Sequence, residues 1–119
     1  MSFRTHLETM LKEVDGSVAC SVMGFDGISV ETQQSKDPGL DLQAMLVEYG
    51  NVLTKLKDVA KGLEAGSVSE VAINTDKLCT ISRILTNEYF LVLALTPQGN
   101  YGKGRYALRV AAPKVKAEL

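Results

Sequence analysis

The sequence predicts an α/β sandwich in which a single sheet carries helices on both faces. Apolar residues recur every three or four positions between residues 41 and 65, which is the period of one face of a long helix. Two short segments, 18–23 and 89–95, are apolar at nearly every position, as is typical of strands covered on both faces. With the segments between them, they give the element order α-β-β-α-β-β-β-α.

Two helices and a hairpin are predicted in the first half of the chain. Apolar residues at steps of four, three, one and three predict an amphipathic first helix: Phe3, Leu7, Met10, Leu11 and Val14. Gly16 can adopt the left-handed conformation that ends such a helix. The strand over 18–23 is followed by a tight turn at Asp26-Gly27 and an alternating strand over 28–32. Asp41 is the expected N-cap of the long helix.

Three strands and a last helix are predicted in the second half. The strands cover 68–75, 78–85 and 89–95. We expect the two nearly all-apolar strands to lie centrally and the alternating strands towards the sheet edges. After a loop over 97–102 the remaining residues form a helix, in which Pro113 is expected to cause a kink or a break.

Length and composition are those of one globular domain covering residues 1–119. Of the 119 residues, 45% are hydrophobic and 23% are charged, which is ordinary for such a domain. No apolar run reaches the roughly 18 residues that a membrane span needs. The first residues have no apolar signal core behind them, so we expect a cytoplasmic protein.

The sequence offers little for catalysis, and we expect no catalytic, cofactor-binding or metal-ligating residues and no enzymatic activity of the chain itself. Cys20 and Cys79 stand far apart among apolar residues, so both are predicted to be buried. His6 is the only histidine, and we expect it to be a solvated helix residue. Gly102-Lys103 resembles the end of a phosphate-binding loop, but such a loop needs glycine where Pro97 stands.

Positive charge is concentrated at the end of the chain. Residues 99–119 contain one acidic residue, Glu118, and five basic ones: Lys103, Arg105, Arg109, Lys114 and Lys116. Cations near the C-terminal end of a helix are favoured by its macrodipole, which explains the cluster without a ligand. Binding of nucleic acid or another acidic partner is the alternative, although the acidic remainder of the chain argues against nucleic acid.

The face of the long helix opposite its apolar residues is a candidate partner or dimer face. At 100° per residue it carries small or short side chains, with one lysine at its margin: Ala44, Val47, Asn51, Thr54, Lys55 and Asp58. Short side chains allow two helices to approach closely, whereas a solvated face more often carries Lys and Glu. Exposure to solvent alone remains the alternative for this face.

Two segments resemble the roadblock (dynein light chain) family, and particularly its bacterial gliding-motility members of the MglB/MglC type. Residues 22–30 (VMGFDGISV) resemble the first hairpin of the family, and residues 99–109 (GNYGKGRYALR) resemble the entry into its last helix. The element order also matches, so the resemblance covers the whole chain. It implies a profilin-like sandwich with a five-stranded, mostly antiparallel sheet in the order 2-1-5-4-3.

The resemblance also implies homodimers that pair their third strands edge to edge and set their long helices side by side. Residues of the third strand are therefore the candidate dimer edge: Val68, Glu70, Val71, Ala72 and Ile73. This segment lacks the lysine, proline or bulge that usually blocks edge pairing.

Members of the family bind or regulate small Ras-like GTPases. The expected function is a non-enzymatic homodimeric adaptor of a GTPase switch in cell polarity or motility, which binds the GTPase, its roadblock-type regulator, or both. The alternative is a GTPase-activating protein that supplies no catalytic residue of its own.

Overall fold

The computed structural model describes residues 2–119 and confirms the predicted element order and sheet order. Three helices are present: α1 (Phe3–Glu13), α2 (Leu42–Gly62) and α3 (Tyr101–Ala117). Five strands form one antiparallel sheet in the order β2-β1-β5-β4-β3: β1 (Ser17–Gly24), β2 (Ser29–Gln34), β3 (Glu70–Asn74), β4 (Cys79–Ile84) and β5 (Tyr89–Leu95).

The sheet separates two apolar layers, with α1 and α3 on one face and α2 on the other. Alternate residues of β1 point into different layers: Val22 belongs to the cluster that contains Leu7 and Leu108, whereas Met23 belongs to the cluster that contains Leu53. Strand β1 is buried at every position and β5 at all but its first, as expected for the two central strands.

Side-chain caps determine where two of the helices begin. The Asp41 carboxylate accepts a hydrogen bond from the backbone N–H of Ala44 at 3.1 Å, which confirms the predicted N-cap. The amide oxygen of Asn100 does the same for α3, accepting from the N–H of Lys103 at 3.0 Å. Helix α3 therefore begins inside the segment that was predicted to be a loop.

Of the kink or break predicted at Pro113, the break is wrong, because α3 continues through this residue to Ala117. The proline removes one backbone donor, which leaves the carbonyl of Arg109 without its usual helical partner. Both residues lie on the exposed side of α3, where water can satisfy that carbonyl. The helix therefore tolerates proline at this position.

The prediction that His6 is solvated is also wrong. Only 8% of His6 is exposed, and its Nε2 lies 3.8 Å from an Oε1 atom of Glu118 near the end of α3. Helices α1 and α3 lie side by side on the sheet, so a residue on the flank of α1 is covered by its neighbour helix. The periodicity of one helix cannot show that contact.

Both cysteines are buried, as predicted. The Cys20 thiol donates to the backbone carbonyl of Leu7 at 3.3 Å, and burial raises its pKa to about 12. Burial also raises the pKa of Cys79. Between residues 2 and 119, no group of three His, Cys, Asp or Glu side chains is arranged to hold a metal ion, and no helix is long and apolar enough to cross a bilayer.

Candidate functional site

The apolar arc of α2 is wider than the sheet can cover. Leu46 and Leu53 are buried against the sheet, as the periodicity predicts. Four other apolar residues of the same arc are exposed, by 37% to 74%: Val52, Leu56, Val59 and Leu63. We call these four residues the α2 stripe. Four of the ten apolar residues that recur at helical spacing from Leu42 to Leu63 therefore lie in solvent, as an apolar surface along one flank of the helix.

The α2 stripe faces the edge of the sheet formed by β3. Met45, on the same helix flank as the stripe, packs against the cluster that contains Leu78, the residue just before β4, and β4 is the neighbour of β3. Val71 in β3 packs against the apolar cluster below α2. Ile73 lies two residues further along, so its side chain is on the same side of the sheet. The stripe and the apolar side chains of β3 are therefore on one side of the molecule.

The outer edge of β3 has backbone groups directed away from the sheet. The carbonyl of Ser69 accepts from the N–H of Ile84 at 3.0 Å, and the N–H of Thr75 donates to the carbonyl of Leu78 at 2.9 Å. Because hydrogen-bonding direction alternates along a strand, Glu70, Ala72 and Asn74 point their N–H and C=O groups outwards.

One residue of the candidate dimer edge lies outside the strand. The sequence predicted a strand over 68–75, but β3 covers only Glu70–Asn74. Val68 precedes it in an irregular segment that follows two positive-φ residues, Glu64 and Gly66. The other four predicted residues, from Glu70 to Ile73, do belong to the edge strand.

The predicted partner or dimer face lies on the flank of α2 opposite the stripe. Five of its six residues are exposed: Ala44, Asn51, Thr54, Lys55 and Asp58. Val47 is different, because it is half-buried and packs against the cluster below α2 beside the turn at Gly27. Val47 therefore contributes to the core, unlike the other five residues of this face.

The α2 stripe was not predicted as a site, although the sequence contained a signal for it. The ten apolar positions of the helix span about 140° at 100° per residue, which is wider than the stripe of roughly 100° that a surface helix needs. The excess width leaves part of the arc available for a second apolar contact. Periodicity alone assigns the whole arc to one core.

A group of charged side chains joins α3 to the edge strand on the opposite side of the sheet. The Glu70 carboxylate accepts from Arg105 Nε at 2.8 Å, with Arg105 Nη2 at 2.7 Å from the same oxygen. Arg83 Nη1 lies 3.5 Å from the other oxygen. Hydrogen bonding to Glu70, followed by its charge, raises the pKa of Arg105 above its ordinary value. The sequence indicates Glu70 only as an edge residue, because its arginine partners are distant along the chain.

Solved structures of other proteins share this fold. MglC from Myxococcus xanthus is 57% identical over 100% of both chains, with a TM-score of 0.73. The gliding protein MglB from Thermus thermophilus is 15% identical over 97% of this chain and 86% of that one, with a TM-score of 0.85. A Roadblock/LC7 domain from Streptomyces avermitilis is 12% identical over 98% and 97% of the two chains, with a TM-score of 0.83.

The three likenesses carry different weight. Those to MglB and to the Streptomyces domain concern the fold alone, because the sequence identities are low. The likeness to MglC extends to more than half of all residues across the full length. Neither a protein-family model nor a curated protein matches the chain. On the strength of the full-length identity to MglC and the shared sheet order, the chain belongs to the roadblock family, as a member of the MglB/MglC type.

Proposed function

We propose that this chain is a non-enzymatic adaptor of a small Ras-like GTPase switch that controls cell polarity or motility. In this proposal it acts in the cytoplasm as one roadblock domain over residues 1–119, and it works as a homodimer. The observation that carries the proposal is the position of the α2 stripe beside an edge strand with outward-facing backbone groups. Its membership of the MglB/MglC type, shown by the 57% identity to MglC, supports the link to motility.

The proposed dimer joins two copies at β3. Main-chain hydrogen bonds from Glu70, Ala72 and Asn74 would extend the five-stranded sheet into the partner copy. The two α2 stripes then come together on one side of the joined sheet. Each of the four stripe side chains is about half exposed, so its burial contributes on the order of 1 kcal/mol. Association costs at least several kcal/mol, so the strand pairing and the helix contact are both needed.

The opposite flank of α2 is the proposed site for the GTPase or its roadblock-type regulator. Asn51, Thr54 and Asp58 stay accessible when the stripe is covered by the second copy, because they lie on the other side of the helix axis. Dimerisation and partner binding therefore use different flanks of one helix. This arrangement makes the homodimer a scaffold with two equivalent partner faces.

The alternative is a GTPase-activating protein that reshapes the active site of its partner. The experiment that separates the two uses the small Ras-like GTPase of the same motility switch, with and without its roadblock-type regulator. Binding is measured by calorimetry and GTP turnover by phosphate release. If the chain is an adaptor, it binds the GTPase or its regulator, and adding the chain does not accelerate GTP turnover. Acceleration by the chain alone supports the alternative, and absence of binding to both proteins rejects the adaptor.

A further inference from the structure

A pocket of about 330 Å³ lies between the first half of α3 and the sheet edge at β3 and β4. Three arginines line it, together with Glu70, Ser69 and Tyr106: Arg83, Arg105 and Arg109. We call this the arginine pocket. It is on the α3 side of the sheet, whereas the α2 stripe is on the other side. The pocket borders the proposed dimer edge at Glu70, but strand pairing uses the backbone of that residue and leaves the three arginine side chains without a role.

Glu70 holds two of the arginines in fixed positions. Its side chain is only 16% exposed, and it accepts from both Arg83 and Arg105. A guanidinium group has five N–H donors in a rigid plane. Arg105 directs Nε and Nη2 to one carboxylate oxygen, and Arg83 directs only Nη1 to the other. Both arginines therefore keep donors for a second acceptor while Glu70 fixes their orientation.

The pocket carries an excess of positive charge. Glu70 is the only carboxylate among its lining residues, so three arginines and one carboxylate give a local charge of +2. Arg109 lies 6.0 Å from the ring centroid of Tyr106, and no carboxylate within residues 2–119 forms an ion pair with it. Lys103 is also 6.0 Å from that ring, on its other flank along α3. The exposed ring thus lies between two cations along α3, of which Arg109 lines the pocket.

We propose that the arginine pocket docks an acidic segment of a partner protein through Asp or Glu side chains. Three planar guanidinium groups match the two oxygens of a carboxylate, which they can bind in a bidentate manner. A nucleic acid fits less well, because residues 1–98 carry eight basic and thirteen acidic side chains and would repel a long polyanion. This docking goes beyond the proposed GTPase-switch function and does not depend on it.

The probe is a fluorescein-labelled hexaglutamate peptide, whose binding to the full chain is followed by anisotropy at low and at physiological ionic strength. The test variants are Arg109→Gln and Arg83→Gln, and the matched control is Lys116→Gln. Lys116 lies on the same flank of α3 as Arg109, seven residues further along and outside the pocket. All three variants lose one positive charge, so only the position of the charge differs. Light scattering and melting temperature are recorded for each variant.

The proposal expects Arg109→Gln and Arg83→Gln to weaken hexaglutamate binding by about tenfold or more, because a charge-assisted hydrogen bond is lost. Lys116→Gln should weaken it by less than about threefold. Arg109 is exposed and makes no ion pair within residues 2–119, so its variant should fold normally even if Arg83→Gln does not.

Four results would overturn the proposal. One is an equal loss in Lys116→Gln, which would mean diffuse attraction to the basic helix. The second is that hexaglutamate shows no measurable binding. The third is that only a phosphoserine peptide of the same length binds. The last is tighter binding of a single-stranded oligonucleotide than of hexaglutamate. A monomeric state in light scattering would contradict the proposed dimer but would leave this inference standing.

Discussion

A Cβ atom added at Gly104 in α3 would lie 3.1 Å from Leu95 Cδ1 in β5. Two further side-chain atoms of the sheet would be within 3.4 Å of it, Leu93 Cδ2 at 3.3 Å and Ile81 Cδ1 at 3.4 Å. All three of these sheet residues are fully buried, so none can move into free space. Helix α3 therefore lies as close to the sheet as glycine allows, and this approach places Arg105 within reach of Glu70 in the edge strand.

We expect Gly104→Ala to destabilise the fold by up to about 2 kcal/mol. Overpacking a tight core site costs about 1–3 kcal/mol, and the better helix propensity of alanine returns about 1 kcal/mol. The control is Gly102→Ala in the same helix, where the added Cβ has no neighbour closer than 4.0 Å. That change should stabilise the fold by up to about 1 kcal/mol. Urea unfolding measures both, and equal effects at the two positions would contradict the packing argument.

Contacts between neighbouring residues could be predicted from the sequence, and contacts across the fold could not. Apolar runs identify β1 and β5 as central strands. Asp41 is recognisable as an N-cap because Ala44, whose N–H it accepts from, is only three residues away. The ion pairs of Glu70 join positions 13 and 35 residues apart, so no local pattern indicates them. The sheet order itself came from the family resemblance.

The site was only partly predictable for a related reason. Helical periodicity shows that a side chain is apolar and on a given face, but not what covers that face. Val52 and Leu46 share one apolar arc in the sequence, yet the sheet buries only Leu46. His6 shows the opposite case, because a neighbouring helix covers a polar residue that periodicity assigns to solvent.

Stability should decrease in alkaline solution because of Cys20. Burial raises the pKa of its thiol from 9.0 to about 12, so the folded state keeps the proton that the unfolded chain loses. The contribution of this thiol is complete below pH 9 and is lost as the pH rises towards 12, by about 1.4 kcal/mol per pH unit. We expect Cys20→Ala to show a shallower decrease than the unmodified chain in urea unfolding above pH 9. Identical slopes for the two proteins would contradict this assignment.

The α2 stripe should be required for dimerisation. Val59→Glu places a charge in the proposed dimer contact. Because Val59 is 55% exposed in a single copy, the same charge lies in solvent when the chain is monomeric. The variant should therefore be monomeric in light scattering, with its unfolding free energy as a monomer changed by no more than about 0.5 kcal/mol. Thr54→Glu is the control, because it adds the same charge to the opposite flank of α2 and should leave the dimer intact. If both variants dissociate to the same extent, the loss of the dimer is caused by the added charge and not by a change in the α2 stripe.

The outward backbone groups of β3 give an independent test of the same dimer. Ala72→Pro removes a donor that points away from β4, so it should weaken the dimer while retaining the folded monomer. Val71→Pro is the contrasting variant, because Val71 hydrogen-bonds to β4 and its side chain packs against the cluster below α2. It should destabilise the monomer itself, by about 1–3 kcal/mol, because the backbone partner in β4 is left unsatisfied. An unmodified chain that is monomeric at all accessible concentrations would reject the dimer altogether.

The opposite flank of α2 should bind the partner without contributing to stability. Asn51 and Asp58 are exposed, one on either side of Thr54 on this flank, so a single partner surface could contact both. Asn51→Arg and Asp58→Arg should each change the unfolding free energy by no more than about 0.5 kcal/mol, whereas an interface hot spot loses about 2 kcal/mol or more of binding energy. Calorimetry with the GTPase and with its regulator, alongside light scattering, distinguishes the roles of this face. Weakened binding by an intact dimer supports the partner face. Loss of the dimer instead would assign this flank to the dimer contact, and unchanged behaviour in both measurements would leave it exposed to solvent alone.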